Sequence, residues 1–526
     1  MQVVLTATVA SVPPKNPSTP SQRQIRLVFI GLLLGMFVAA LDQTIVATAL
    51  PTIVGDLGGL NHLSWVVTSY LLAATVSTPL YGKLGDLYGR KRLFQFAIVV
   101  FLIGSMFSGI AQGMGQLIAF RAIQGLGAGG LVVGATAIIG DVVPPADRGR
   151  YMGLMVSIFT LSSLIGPLLG GLFTDALSWR WVFYINLPIG AAALLVIATS
   201  LHSPKVKLEH RIDYAGVALL TGAASALVLL LTWGGTQYSW TSTTILSLAG
   251  ATIVLAAAFL RVERRADEPV LPLRLFRSGV FRVSCAATGV LAFSMFGAAT
   301  FLPLFLQTVH QDSPTRSGIE MVPITVLSTV ASIWSGRRIA VHGRYKVYPV
   351  VGTALLTAGL ALITTYGTGL NTPYWHTAVG MAVYGFGMGL TVQVFVLAVQ
   401  NTVPHSDLGV ATSTTSFFRA IGASAGVAVF GQIFTNRLSA SLAAGGAHAR
   451  VRDVGAAHLT PAQLSALRAR DPASYTRFVH AFDHALHVVF VAALPCAALT
   501  VVLALMLKET ALRRTHDDTT TSVEAH

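Results

Sequence analysis

Apolar runs of hydrocarbon length recur along nearly the whole chain, and no other feature restricts its fold so strongly. A bilayer core needs about 20 consecutive apolar residues per helix. That window marks about fourteen runs, at roughly 27–50, 63–82, 93–112, 116–140, 151–174, 180–201, 212–234, 242–262, 280–307, 318–341, 347–367, 373–400, 406–436 and 482–508. In hydrocarbon every backbone N–H and C=O must find its partner within the spanning structure, so the runs predict helices and an all-α integral membrane fold. Charged residues make up only 11% of the 526 positions, against about a quarter in a soluble domain, which makes lipid the expected solvent of most of the surface.

Lys and Arg set the orientation, because short cytoplasmic loops are enriched in them. With a cytoplasmic N-terminus, 25 of the 35 Lys and Arg fall in inner segments, while the short outer loops carry only Arg180 and Arg316. Both termini are therefore expected in the cytoplasm. The formal net charge of +14 is a topology signal on this reading, and nucleic acid is not an expected partner. The two cysteines, Cys285 and Cys496, both lie inside apolar runs, which argues against a disulfide framework. The polar start of the chain lacks the features of a cleaved signal peptide.

The chain also repeats itself at an offset of roughly 252–260 residues. Gly82 to Arg90 echoes Gly336 to Arg344, and Gly153, Gly166 and Gly170 echo Gly409, Gly422 and Gly426. Two six-helix bundles with two extra central helices follow from this. The expected boundaries are a disordered tail at 1–26, a bundle at 27–201, linker helices and a loop at 202–279, a bundle at 280–508 and a tail at 509–526. The second bundle carries a long outer loop at about 437–481, with a short helix expected near Thr460-Pro461. Repeated halves are how many carriers place one site at the midplane and rock about it.

Five motifs add a family resemblance over all the runs. Gly82 to Arg92 resembles the G-x-L-x-D-x-x-G-R-K signature of the major facilitator superfamily, and Leu117 to Gly130, with Arg121, Gln124, Gly125 and Gly127, resembles its span-four motif. Ser162 to Gly171 resembles the span-five antiporter motif, with Ser162 in place of the first glycine. Leu41 to Pro51 and Trp179 to Pro188 are similar to the fourteen-span drug/proton antiporters of the EmrB/QacA type. The resemblance implies efflux driven by proton entry. It also implies that Asp86, with Gly82, Gly89 and Arg90, contacts the opposite half, and that Gly166, Pro167 and Gly170 seal the cavity during exchange.

The residues themselves point to candidate sites. Asp42 is an ionisable group inside a spanning helix, a functional candidate by default. It shares a stripe with Gly31, Gly35 and Ala39, so it should face the bundle. At 1.5 Å per residue Asp42 lies about 24 Å from the inner face and Arg121 about 22 Å, which predicts an Asp42–Arg121 pair, direct or bridged by Gln124. The pair is either a proton-coupling device or a static link between spans one and four. Glu320, near the outer end of span ten, is either a second protonation site or an interfacial carboxylate. Arg419, near mid-depth of span thirteen, is a candidate for binding substrates with acceptor groups, with Phe293, Phe296, Tyr384 and Phe418 as an apolar wall.

The expected function is proton-coupled export of hydrophobic or amphipathic small molecules at the plasma membrane, the alternative being export of lipids or envelope precursors. No nucleotide-binding Gly-Lys-Ser/Thr loop and no HExxH motif is present, so the expectation is a non-enzyme without cofactor or metal, driven by the proton-motive force. Its partners are expected to be the small-molecule substrate, protons and the bilayer, with the chain acting as a monomer.

Overall fold

A computed structural model of the protein describes residues 22–57, 63–143, 145–201, 213–235, 237–266, 268–310, 314–367, 369, 372–444 and 468–512. The tails at 1–21 and 513–526, the loop residues 445–467 with the helix expected near Thr460, and the side chain of Phe296 lie outside the described residues. The named helices are α1 (Gln22–Leu57), α2 (Leu63–Tyr88), α3 (Arg90–Gly109), α4 (Met114–Val142), α5 (Pro145–Ala176), α6 (Trp181–Tyr184), α7 (Asn186–Ser200), α8 (Tyr214–Trp233) and α9 (Thr243–Glu263). They continue as α10 (Gly279–Thr308), α11 (Pro314–Glu320), α12 (Val322–His342), α13 (Val347–Tyr366), α14 (Tyr374–Thr402), α15 (Leu408–Ala444) and α16 (Pro472–Met506). No strand occurs among the described residues.

Twelve helical segments among the described residues are long and apolar enough to cross a membrane. The expected fourteen included two more runs. Those correspond to α2 and α10, which are long helices packed inside the bundle but outside that twelve. Two of the twelve spans, Trp181–Ser200 and Arg316–His342, are interrupted at one residue each, whose backbone stays in the right-handed helical region. The sixth run splits at Ile185 into α6 and α7, and the tenth splits at Met321 into α11 and α12. In both cases a proline follows closely (Pro188 and Pro323) and withholds the N–H that would bond back across the break.

The helices meet at glycines, and the meetings repeat between halves. A Cβ on Gly125 or Gly129 of α4 would lie 2.3 or 2.4 Å from a backbone carbonyl of α2, and one on Gly127 would lie 2.4 Å from the Phe101 nitrogen of α3. In α14, Gly385 and Gly389 approach carbonyls of α12 at 2.3 and 2.0 Å, and Gly387 approaches the Leu356 nitrogen of α13 at 2.4 Å. So α4 is wedged between α2 and α3 as α14 is between α12 and α13. Backbones this close exclude any side chain, and close backbone approach is what drives helix association in lipid.

The repeat also crosses between halves. Gly166 and Gly170 of α5 sit against α1 while Gly153 sits against α12; Gly422 and Gly426 of α15 sit against α10 while Gly409 sits against α2. Each half thus lends one helix to the other. The linker helices α8 and α9 pack on each other, with α8 also against α2 and α15.

Candidate functional site

Asp42, Arg121 and Gln124 meet in the interior of the first half, all fully or almost fully buried. Arg121 Nη1 donates to Asp42 Oδ2 at 2.5 Å and to Gln124 Oε1 at 2.7 Å, and Gln124 Nε2 donates to Asp42 Oδ1 at 2.8 Å. Asn186 Nδ2 donates to the same Asp42 oxygen at 3.1 Å and to Ser105 Oγ at 3.0 Å, and Ser105 in turn donates to the Phe183 carbonyl at 2.8 Å. Arg121 Nε donates to the Val66 carbonyl at 3.3 Å, and its guanidinium lies 4.2 Å from the centre of the Tyr70 ring. The depth argument brought Asp42 and Arg121 to one level. It did not include Asn186 or Ser105, because it compared only the ionisable positions of spans one and four.

Asp42 therefore receives three side-chain donors, from α1's neighbours α4 and α7. Two residues on, Thr44 Oγ1 donates to the Ser162 carbonyl of α5 at 3.0 Å, and a Cβ on Gly166 would meet that same hydroxyl at 2.0 Å. Pro167, which lacks the N–H of a normal helical residue, is the next residue of α5. The Gly166–Pro167–Gly170 segment is thus the surface on which the Asp42 helix rests.

A second set closes the end of the bundle that carries the α2–α3 turn. Gly89 joins these helices without a linker, at φ 93°, a conformation that glycine adopts without strain. Asp86 Oδ1 and Oδ2 accept the backbone N–H groups of Gly409 and Val410 at 3.0 and 2.9 Å, at the start of α15. Arg90 holds the carboxylate through Nη2 at 2.6 Å and Nε at 3.1 Å, and also bonds Asp141 and the Ala137 carbonyl of α4. His405 Nε2 lies 3.0 Å from Asp141. Asp407, beside the same helix start, is paired with Arg274 at 3.0 Å. Asp141 and His405 were not among the sequence candidates, because nothing local marks residues that only the joining of two halves brings together.

Gly82 explains why α2 and α15 come so close: its Cβ would lie 2.7 Å from the Gly409 carbonyl. On the other side of the seam a Cβ on Gly336 of α12 would lie 2.0 Å from the Gly149 carbonyl of α5. Between these crossings Gln400 Nε2 of α14 donates to the Thr136 carbonyl of α4 at 3.3 Å. Three contacts between the halves thus shut this end.

Other candidates lie apart from these sets. Glu320 is on α11 and pairs with Arg316 on the same helix at 3.1 Å. Above the shut end, Arg419 lines a cavity between the halves. Of the expected aromatic wall, Phe293, Tyr384 and Phe418 are not in its lining. Phe293 packs on Phe430, the Tyr384 hydroxyl reaches the Met295 carbonyl, and Phe418 turns towards Phe276, because adjacent helical positions point about 100° apart. Phe159 is the aromatic residue that lines the cavity instead.

Long apolar helices around a buried charge set, in two repeated halves that meet at one end, define a multi-pass membrane protein. The chain belongs to the Major Facilitator Superfamily, whose profile matches residues 32–214 and 212–427. An uncharacterised MFS-type transporter of Mycobacterium tuberculosis is 41% identical over 505 residues, 95% of this chain and 72% of that protein. Multidrug resistance protein 3 of Bacillus subtilis is 39% identical over 435 residues, covering 81% of this chain and 83% of that one. The fold is shared with a proton:xylose symporter of the superfamily, at a TM-score of 0.63 and 13% identity over 94% of this chain and 98% of that one. The protein is a transporter with multidrug and efflux homologues.

Proposed function

We propose that this transporter exports hydrophobic or amphipathic small molecules across the plasma membrane in exchange for protons, by alternating access. The observation that carries the proposal is the buried Asp42 carboxylate with its three donors. Protonating Asp42 removes the charge that balances Arg121 and turns an acceptor into a donor facing donors. The present arrangement is then disfavoured, so proton uptake and rearrangement of α1 against α4 and α7 are one event. Thr44 carries that movement to α5 and its Gly166–Pro167 segment.

On this reading the shut end is cytoplasmic, both termini are cytoplasmic, and all fourteen long segments, α2 and α10 included, cross the bilayer. The energy source is the proton-motive force, no cofactor is needed, and one chain suffices. The likeness to a multidrug resistance protein favours export of drugs over export of lipids.

The test is proton release from acid-loaded inverted vesicles when candidate drugs are added, for wild type and Asp42→Asn. Release by wild type that is absent in Asp42→Asn supports the proposal. Equal release by both would leave Asp42 a structural residue.

A further inference from the structure

We infer that the central cavity takes amphipathic organic anions, with Arg419 as the residue that binds the negative group. The inference deepens the proposed export function and rests on it for the claim that the occupant is cargo. The cavity lies where α1, α4 and α5 of one half face α10, α14 and α15 of the other. Arg419 is 11 residues beyond the first residue of α15, so it sits about 16 Å along the helix, near the middle of a bilayer core of about 30 Å.

An arginine at that depth keeps its charge and is normally paired. Arg121, also within the core, has Asp42. Among the described residues no protein group hydrogen-bonds or ion-pairs with Arg419. A second group in the same wall is also unsatisfied: Thr288 Oγ1, on a residue only 3% exposed, has no partner. Gln393 and Ser416 add further polar atoms on the same side, while Met36 and Phe159 line the opposite side with apolar surface. The charge balance is therefore zero at the Asp42 set and one unmatched positive charge at the cavity.

A ligand with one carboxylate or similar anionic group and an apolar body matches this division. Its charge pairs with Arg419, its remaining acceptor positions meet Thr288 and Gln393, and its body lies against Met36 and Phe159. A cation would meet Arg419 with like charge, and a neutral molecule would leave it unpaired.

Binding and transport test the inference separately. The probes are naphthylacetate, neutral naphthylacetamide and cationic naphthylethylamine, which share one ring system. Purified protein in lipid nanodiscs should bind naphthylacetate about tenfold or more tighter than the other two, as expected for a hydrogen bond to a charged group. Arg419→Gln should abolish that preference and Arg419→Lys should keep part of it, with the melting temperature of each variant confirming the fold. Equal binding of all three probes by wild type, or an unchanged preference in Arg419→Gln, overturns the inference. Proton release from inverted vesicles is read with the same probes. Anion preference in binding without proton release upholds the site while the export reading fails; proton release by all three probes alike, unaffected by Arg419→Gln, upholds export and overturns the site.

Discussion

Arg121 and Asp42 meet at 2.5 Å with side chains 2% and 0% exposed, the most deeply buried ion pair among the described residues. Breaking such a pair from one side strands a charge and typically costs about 3–5 kcal/mol, whereas replacing both partners with neutral groups is far less damaging. Arg121→Leu should therefore lower the melting temperature of the detergent-solubilised protein sharply. The double variant Asp42→Asn/Arg121→Leu should recover much of that loss, yet remain without drug-triggered proton release. Restored release in the double variant would make the pair a static link between α1 and α4.

Asp86 is one contact between the halves, to Gly409 across 323 residues of sequence. Its two bonds to backbone N–H groups are charge-assisted and lie at a helix N-terminus, where an anion is favoured. Asp86→Ala removes both bonds and leaves Arg90 with Asp141 alone among carboxylates. The shut arrangement should lose about 1.5–3 kcal/mol relative to the open one. Spin labels on the exposed residues Tyr88 and His405 should report a longer, broader distance distribution in Asp86→Ala than in wild type.

Much of this was legible before any coordinates. Hydrocarbon-length runs gave the fold class, and the depth of Asp42 and Arg121 follows from rise per residue alone. What escaped were facts of direction and of assembly. Whether Phe418 or Arg419 faces the cavity depends on a rotation of about 100° that a nearly uniform apolar helix does not encode. Asn186 reaches Asp42 across 144 positions of sequence, and Asp141 meets His405 only after residues 264 positions apart have docked. Glycines fared better, since close crossings leave a glycine in each half, and Gly125 with Gly385 shows that the repeat is one of packing as well as of spelling.

Glu320 gives a negative control. It pairs with Arg316, four residues earlier on the short helix α11, and that arginine is 69% exposed. An ion pair open to solvent on one side contributes about 0–1 kcal/mol. Glu320→Gln should change the melting temperature little and leave proton release at its wild-type amplitude. A large loss of release would place a second coupling carboxylate on α11.

Gly336 and Gly89 separate a glycine kept for space from one kept for backbone shape. A Cβ on Gly336 would lie 2.0 Å from the Gly149 carbonyl, a distance that side chains do not tolerate, so Gly336→Val forbids the α5–α12 crossing and with it the shut state. Nothing lies within 4 Å of a Cβ on Gly89, yet its φ of 93° is strained for any L side chain. Gly89→Ala should therefore cost about 1–2 kcal/mol in thermal stability through backbone strain. Gly336→Val should instead fold and insert but fail to transport. Labelling of a cysteine placed at Gln393, on the cavity wall, should report the difference, with a membrane-impermeant reagent reaching it from the shut side in Gly336→Val and not in wild type or Gly89→Ala. Equal protection in all three would mean that α5 and α12 can shut the cavity without their close crossing.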